Sequence, residues 1–223
     1  MDRLPFGCGS LDAMLEGGVE AGCVTLLYGE AGTGKTTLCL LLARDVARSG
    51  KKVIYLDTEG VSMDRLRQVS GPDFDAVAKN ILFSAIGSFD EQERMVDKAI
   101  KLAQSSVDVG MIIVDSISMH YRLTSREEDR GERKSLAGQS TKLTNLAREK
   151  SIPVVVTSQV YTDVETGTFE ALGGHALLHN SKLIVRIDKV RSGGQRRAVL
   201  MKARHLPEGL MADFKLTADG IAC

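Results

Sequence analysis

Short apolar runs recur along the chain, and segments with helical spacing separate them. Five of these runs have the length and the β-branched content that are typical of buried strands. They are Val24–Tyr28, Val53–Asp57, Ile81–Phe83, Met111–Asp115 and Ile152–Thr157. Because strands that are covered on both faces read as continuous apolar runs, this alternation predicts an α/β fold. We expect a mostly parallel, twisted sheet that is flanked by helices.

The segments between these runs carry apolar residues three and four positions apart, which is the period of one helix face. Leu38, Leu41, Leu42 and Val46 define such a face, and Gly50 then ends that helix. Further helices are predicted over Leu11–Leu15 with Ser10 as its cap, in two short pieces within residues 62–80, and over Glu91–Val107 and Ser135–Lys150.

The C-terminal part of the chain changes to a period of two. Lys182–Lys189 alternates, Ser192–Gly194 is a hairpin-turn signal, and Arg197–Arg204 alternates again. This pattern predicts antiparallel strands that extend one edge of the sheet. Since no break in composition marks a second domain, residues 1–223 are predicted to form a single domain.

Composition and charge narrow the function classes. The chain has 29 basic and 29 acidic residues, so nucleic acid would have to be bound by local basic patches rather than by a global field. It has no apolar run long enough to span a membrane and no signal peptide at its start, so we expect a cytoplasmic protein without a membrane partner. The four cysteines lack the spacing of a zinc site and are expected to be unpaired thiols.

A phosphate-binding motif follows the first predicted strand. The sequence from Gly29 to Thr36 reads Gly-x4-Gly-Lys-Thr, with a strand before it and a helix after it. Glycines let the backbone curl and present N–H groups to phosphate oxygens, Lys35 supplies charge to the β- and γ-phosphates, and Thr36 is suited to bind Mg²⁺. The predicted ATP-binding residues are Gly29, Glu30, Ala31, Gly32, Thr33, Gly34, Lys35, Thr36 and Thr37.

Polar residues at the ends of three other strands supply the remaining parts of a nucleotide triphosphatase. Asp115 directly ends an apolar strand, where it could hold Mg²⁺ together with Thr36. Glu59 follows the second strand and is a candidate general base, with a solvated loop glutamate as the alternative. Gln159 follows the fifth strand and is a candidate sensor of the γ-phosphate. Lys35, Glu59 and Gln159 form the predicted catalytic set.

The phosphate-binding motif and the polar residues at the strand ends occur in the same order as in the core ATPase domain of the RecA/RadA recombinases. The chain resembles that domain from about residue 7 to its end. Further matching segments are residues 9–12, 15–19, 55–60, 113–116, 130–132, 173–175 and 205–208. The resemblance implies a RecA-like core, Mg·ATP as cofactor and DNA as partner. It also implies that Glu59 activates water and that Gln159 links the γ-phosphate to the second DNA-binding loop.

Two features of RadA-type recombinases are not found. The core begins within ten residues of Met1, without the N-terminal helix-hairpin-helix domain and without the linker that docks into the next subunit. The chain is therefore expected to be a short paralogue that can form a homo-oligomer but does not form long, stable filaments. By resemblance, its expected partners are a RadA-type recombinase and enzymes that process branched DNA.

The two segments that correspond to DNA-binding loops differ in charge. Tyr121–Lys134 contains five basic and four acidic residues, with Arg126 and Arg130 as candidate contacts. Tyr161–Gly174 contains three acidic residues and no basic ones, which should repel a phosphate backbone. Stacking of bases on Tyr161 or Phe169 is possible, although local packing of these rings is the simpler interpretation.

Basic residues are instead concentrated between Lys182 and His205, a segment that contains eight Lys and Arg residues and only one acidic residue. Three interpretations stay open: a DNA-binding stripe, cations that reach the nucleotide of an adjacent subunit, and a solvated sheet edge protected by charge. The candidate residues are Arg191, Arg196, Arg197, Lys202, Arg204 and His205.

The sequence thus predicts an ATP- and DNA-binding recombinase paralogue in homologous recombination and repair. We expect a weak ATPase with an accessory role rather than autonomous strand exchange. Two alternatives are an active DNA-stimulated recombinase or motor, and a KaiC-like signalling ATPase without a DNA role.

Overall fold

The computed structural model describes residues 3–121, 128–162, 169–190 and 193–223. Its helices are α1 (Gly9–Met14), α2 (Lys35–Arg48), α3 (Met63–Ser70), α4 (Phe74–Ala78), α5 (Phe89–Ser105), α6 (Glu128–Lys150) and α7 (Gly174–Asn180). Its first seven strands are β1 (Arg3–Leu4), β2 (Val19–Glu20), β3 (Val24–Tyr28), β4 (Lys52–Asp57), β5 (Ile81–Ala85), β6 (Val109–Asp115) and β7 (Val154–Ser158). They are followed by β8 (Val160–Thr162), β9 (Phe169–Ala171), β10 (Leu183–Lys189), β11 (Gln195–Lys202), β12 (Met211–Thr217) and β13 (Gly220–Ala222).

The described part of the chain is built on one nine-stranded sheet in the order β13-β12-β11-β10-β3-β7-β6-β4-β5. Strands β10, β3, β7, β6, β4 and β5 are mutually parallel, whereas β11, β12 and β13 add to the edge of β10 in antiparallel fashion. The predicted mostly parallel sheet with antiparallel C-terminal strands is therefore confirmed. Two short ribbons, β1-β2 and β8-β9, lie outside this sheet.

Apolar side chains cover both faces of the sheet. Helix α2 packs on one face, where Leu38, Leu42, Tyr55 and Phe214 belong to the same core cluster. Helices α5 and α6 contribute to the cluster on the other face, which contains Val96 and Leu143. Because the central strands are buried on both faces, their sequences show no alternation, which is why continuous apolar runs identified them. No helix within the described ranges is both long and apolar enough to cross a membrane.

The structure corrects two details of the predicted helices. Helix α1 begins at Gly9 with Cys8 as its N-cap, so Ser10 is not the cap. The carboxylate of Asp12 instead accepts hydrogen bonds from the N–H groups of Phe6, Gly7 and Cys8. Helix α6 begins at Glu128, so the segment predicted as a polar loop to Lys134 is helical over its second half.

The prediction that all four cysteines are unpaired is wrong. A disulfide joins Cys8 to Cys223, whose Cα atoms are 5.7 Å apart, and so ties the end of the chain to the start of α1. Cys23 and Cys39 are buried free thiols. The pair escaped sequence reasoning because 215 positions separate its members, and only the fold brings them together.

Candidate nucleotide-binding site

The glycine-rich loop connects the end of β3 to the start of α2, as the motif predicts. Gly34 is the N-cap of α2 with φ of 102°, a left-handed conformation that side chains disfavour. A Cβ atom at Gly34 would lie 2.7 Å from Leu216, and one at Gly29 would lie 2.3 Å from the carbonyl oxygen of Ile187. The loop therefore needs small residues both for its curl and for its close contact with β10 and β12.

Lys35 lies inside this loop, with only 6% of its surface exposed. Its ammonium donates hydrogen bonds to the carbonyls of Gly29 at 2.8 Å and Glu30 at 2.9 Å. Burial lowers the pKa of Lys35, whereas the nearby carboxylates of Glu59 and Asp115 act in the opposite direction. The buried cation offers positive charge to a phosphate group, and the acids beside it offer oxygen ligands to a metal ion.

Asp115 is 1% exposed at the end of β6. Its carboxylate accepts hydrogen bonds from the hydroxyl of Tyr55 at 2.7 Å and from that of Thr157 at 2.5 Å. Burial raises the pKa of Asp115, and hydrogen bonds from Thr157, Tyr55 and Thr36 act to lower it. The contact with Thr36 joins the two predicted metal ligands. Sequence reasoning missed Tyr55 and Thr157, since their roles depend on the alignment of neighbouring strands.

Glu59 and Gln159 meet above the strand ends, where the side-chain amide of Gln159 donates to the Glu59 carboxylate at 3.0 Å. Asp57 shapes the backbone that carries Glu59, because its carboxylate accepts from the N–H groups of Glu59, Gly60 and Val61 at 2.6 to 3.1 Å. The hydroxyl of Ser118 accepts from the backbone N–H of Gln159 at 3.0 Å. The structure thus brings together the base and the sensor that the sequence predicts.

A cavity of about 250 Å³ opens beside these groups. It is lined by loop residues between Ala31 and Thr37, by Glu59 and by Leu216. The donor set fits Mg·ATP, because the loop offers backbone N–H groups and a buried ammonium to phosphate, while Thr36 and Asp115 offer the oxygen ligands that Mg²⁺ prefers. Leu216 adds an apolar wall that no motif in the sequence indicated.

The predicted basic stripe is divided between the two faces and the two ends of β11. Arg196 and Arg197 are consecutive, so their side chains point to opposite faces of the sheet. Arg196 donates to the carbonyl of Gly32 in the phosphate-binding loop at 2.8 Å, whereas Arg197 forms two hydrogen bonds with Asp213 at 2.7 and 2.8 Å. Lys202 donates at 2.8 Å to the carbonyl of Leu178 near the end of α7.

Arg204 and His205 lie beyond the far end of β11, in a cluster around the buried carboxylate of Glu20. Arg204 donates to Glu20 at 2.5 Å, and a ring nitrogen of His205 lies 3.4 Å from the same carboxylate. Arg3 also contacts Glu20 at 3.3 Å. Burial favours a raised pKa for Glu20, but these cations together lower it. A contact of Arg204 or His205 with DNA or with a neighbouring nucleotide stays a prediction.

Arg126 and Arg191 fall outside the described residues, and Arg130 lies in α6. In the second candidate loop, β8 and β9 form an antiparallel ribbon in which Tyr161 and Phe169 are each 40% exposed. Base stacking on these two rings also stays a prediction.

Comparison with known proteins agrees with this geometry. The Rad51 family matches residues 2–223. The chain is 41% identical to the "DNA repair and recombination protein RadB" of Methanococcoides burtonii, over 99% of this chain and 97% of that one. It is 39% identical to the protein of the same name from Archaeoglobus fulgidus, over 98% and 97%. A solved structure described as the RadB recombinase has a TM-score of 0.85 at 36% identity and covers 99% of both chains.

The chain therefore belongs to the Rad51 family of RecA-like recombinases. Within that family it resembles the archaeal RadB proteins over nearly their whole length. The resemblance to RecA/RadA recombinases that its motifs indicate is confirmed, and the family supports a role in DNA recombination and repair. Proteins of this family generally bind ATP with Mg²⁺, which agrees with the donor set described above.

Proposed function

We propose that this protein is an ATP- and DNA-binding accessory factor of homologous recombination that hydrolyses ATP slowly. The observation that carries the proposal is the hydrogen bond between Gln159 and Glu59 at 3.0 Å, beside the cavity of the phosphate-binding loop. Gln159 directly precedes β8. A movement of Gln159 in response to Glu59 or to the γ-phosphate would therefore be passed through the backbone to β8 and to the segment that follows it. ATP would then act chiefly as a ligand that selects a conformation.

In this proposal each polar group of the site has a defined role. The loop N–H groups and Lys35 would bind the polyphosphate, and Thr36 and Asp115 would hold Mg²⁺, which would polarise the γ-phosphate. Glu59 accepts a proton from the attacking water, and Gln159 orients the Glu59 carboxylate and senses the γ-phosphate. Lys35, Glu59 and Gln159 are therefore the proposed catalytic set.

Two observations support slow ATP turnover and weak DNA binding. Arg197 and Arg204 form ion pairs with acids of the same chain, so their charge is partly compensated, and His205 lies beside Glu20. The segment that corresponds to the second DNA-binding loop carries three acids and no basic residue. Screened, partly neutralised cations give only modest phosphate attraction.

We further propose that the protein is cytoplasmic and consists of a single-domain core that can form homo-oligomers. It would work with a RadA-type recombinase and with enzymes that process branched DNA.

The test is ATP turnover and DNA retention on filters, measured with and without single-stranded DNA, ATP and Mg²⁺ across a range of salt. We expect slow turnover that DNA changes little, and DNA retention that ATP alters and that salt weakens. Strong stimulation of turnover by DNA would favour the active recombinase or motor instead. A lack of DNA retention at low salt would favour a signalling ATPase without a DNA role.

A further inference from the structure

Strand β10 and the strands β11 to β13, which add to its edge in antiparallel fashion, are here named the antiparallel half of the sheet. This half forms one wall of the phosphate-binding loop. Each of three loop glycines faces a different part of this half. A Cβ atom at Gly29 would meet the carbonyl of Ile187, one at Gly34 would meet Leu216, and one at Gly32 would lie 3.8 Å from both Cε and Nζ of Lys189. The residues that follow β3 are thus enclosed by a part of the chain that contributes nothing to the phosphate-binding motif.

Two cations of this wall stand side by side at the loop. Lys189 at the end of β10 is directly paired with Arg196 near the start of β11, so both side chains lie on the same face of the sheet. Arg196 donates to the carbonyl oxygen of Gly32 at 2.8 Å. The ammonium of Lys189 is next to the same glycine. The β10–β11 hairpin therefore presents two positive charges to the middle of the loop.

Among the described residues, these two cations have no acidic partner, unlike their neighbours on the opposite face of the sheet. On that face Arg186 pairs with Asp188, and Arg197 pairs with Asp213. Lys189, which is exposed, forms no ion pair or hydrogen bond with a described residue. Nε of Arg196 is buried and has no hydrogen-bond partner among the described groups.

Lys35 is the third cation at this loop, in which it is buried. Three cations around a single loop repel one another, and a polyanion among them would relieve that repulsion. The two acids of the site, Glu59 and Asp115, are already assigned to water and to Mg²⁺.

We propose that Lys189 is a further phosphate-binding residue, which contacts the polyphosphate of the bound nucleotide from the Gly32 side of the loop. Arg196 is the positioning residue that fixes the hairpin against Gly32 and thereby keeps Lys189 in place. The charge comes from the same chain as the loop, so nucleotide affinity requires no neighbouring subunit at this point. The inference rests on the proposed function, since it concerns the same nucleotide.

The test is equilibrium binding of fluorescent ATP and ADP at low and high salt to the wild type and to Lys189→Ala, Lys189→Arg and Lys215→Ala. Lys215 is a matched control, because it is an exposed lysine on the neighbouring strand β12 and points away from the face that carries Lys189 and Arg196. Lys189→Ala should weaken both nucleotides by about three- to tenfold at low salt, with a smaller difference at high salt. Lys189→Arg should restore most of the affinity, and Lys215→Ala should bind as the wild type does.

Arg196 is tested by a double-mutant cycle. If Arg196 acts by placing Lys189, Arg196→Ala should weaken binding, and adding Lys189→Ala should cause little further loss. Fully multiplicative losses would overturn the positioning role. Wild-type affinity in Lys189→Ala at both salt concentrations would overturn the phosphate contact while leaving the proposed function intact. Absence of nucleotide binding by the wild type would overturn the proposed function itself.

Discussion

The parallel and antiparallel halves of the sheet contribute different things to the same cavity. In the parallel half, strands β3, β4, β6 and β7 end side by side, and each end delivers a polar group: the loop, Glu59, Asp115 and Gln159. In the antiparallel half, strands β10 to β12 deliver packing and charge: Leu216 against Gly34, and Lys189 and Arg196 beside Gly32. The proposed chemistry therefore lies in the parallel half, while the antiparallel half shapes the proposed phosphate-binding loop.

The largest expected effect concerns the parallel half. Glu59→Gln should lower ATP turnover by about 10²- to 10⁴-fold, because the amide cannot accept the proton of the attacking water. Nucleotide affinity should change little, since Glu59 is not needed to bind phosphate. Steady-state turnover and equilibrium nucleotide binding measure the two effects separately.

Glu149→Gln is the control, because Glu149 is an exposed glutamate near the opposite end of the molecule, where it accepts from Gln104 at 3.0 Å. Normal hydrolysis by Glu59→Gln would show that another group is the base. The parallel half would then have to be reinterpreted.

The next effect concerns the edge of the antiparallel half, where the Cys8–Cys223 disulfide ties the chain end to α1. Because this bond closes a loop of 215 residues, Cys223→Ser should lower the free energy of unfolding by about 2–5 kcal/mol. Denaturant unfolding under oxidising conditions measures this loss. A reducing agent should destabilise the wild type to the level of Cys223→Ser and leave the variant unchanged. Equal stability of wild type and variant without reductant would contradict the pairing.

Substitution of Asp115 should affect Mg²⁺-dependent ATP binding and the stability of the fold differently. Asp115→Asn should weaken Mg²⁺-dependent ATP binding by about tenfold or more, because a neutral amide is a poorer ligand than a carboxylate. Calorimetric titration of ATP with and without Mg²⁺ measures this change. If the two proteins bind Mg·ATP equally well, Asp115 is not a metal ligand.

The same substitution should not destabilise the fold, although it should weaken Mg·ATP binding. Since the folded pKa of Asp115 lies above its ordinary value of 3.8, the fold favours the protonated acid. That stabilisation is present below pH 3.8 and is lost as the pH rises through the folded pKa. Asp115→Asn cannot ionise, so near neutral pH and without nucleotide it should unfold at the same or a higher temperature than the wild type. A clearly lower unfolding temperature would contradict the buried, destabilised carboxylate.

The smallest effect concerns the far end of β11. Glu20→Gln should lower the free energy of unfolding by about 1–2 kcal/mol near neutral pH, because Arg204, Arg3 and His205 lose a buried anion. Because the pKa of Glu20 is lowered by the fold, its contribution is present above pH 4.5 and is lost as the pH falls through the folded pKa. Urea unfolding at several pH values should therefore show a difference that narrows below pH 4.5. A difference that does not vary with pH would contradict the ion-pair cluster.

The parallel half could be predicted from the sequence because its signals are local. Continuous apolar runs mark the strands, the spacing of glycines marks the loop, and Asp115, Glu59 and Gln159 each follow a strand directly. Parallel strands that lie side by side then bring these residues together without further information. What escaped prediction was the support of Asp115 by Tyr55 and Thr157, which depends on how three strands are aligned.

The antiparallel half was harder to predict because its partners are distant in sequence. Counting basic residues suggested a stripe, yet Arg204 pairs with Glu20, which lies 184 positions away, and Arg197 pairs with Asp213 on the next strand. Alternation of side chains also sends Arg196 and Arg197 to opposite faces. The disulfide escaped prediction for the same reason, since neither cysteine has a partner at a short spacing.

The central claim is that the curled loop between β3 and α2 binds a nucleoside triphosphate through Lys35, with Mg²⁺ held by Thr36 and Asp115. Calorimetric titration of Mg·ATP into the wild type and Lys35→Ala tests it most directly. We expect the wild type to bind one nucleotide per chain saturably and Lys35→Ala to have lost this binding, while both proteins unfold at similar temperatures without nucleotide. No heat of binding with the wild type, or equal binding by both proteins, would contradict it.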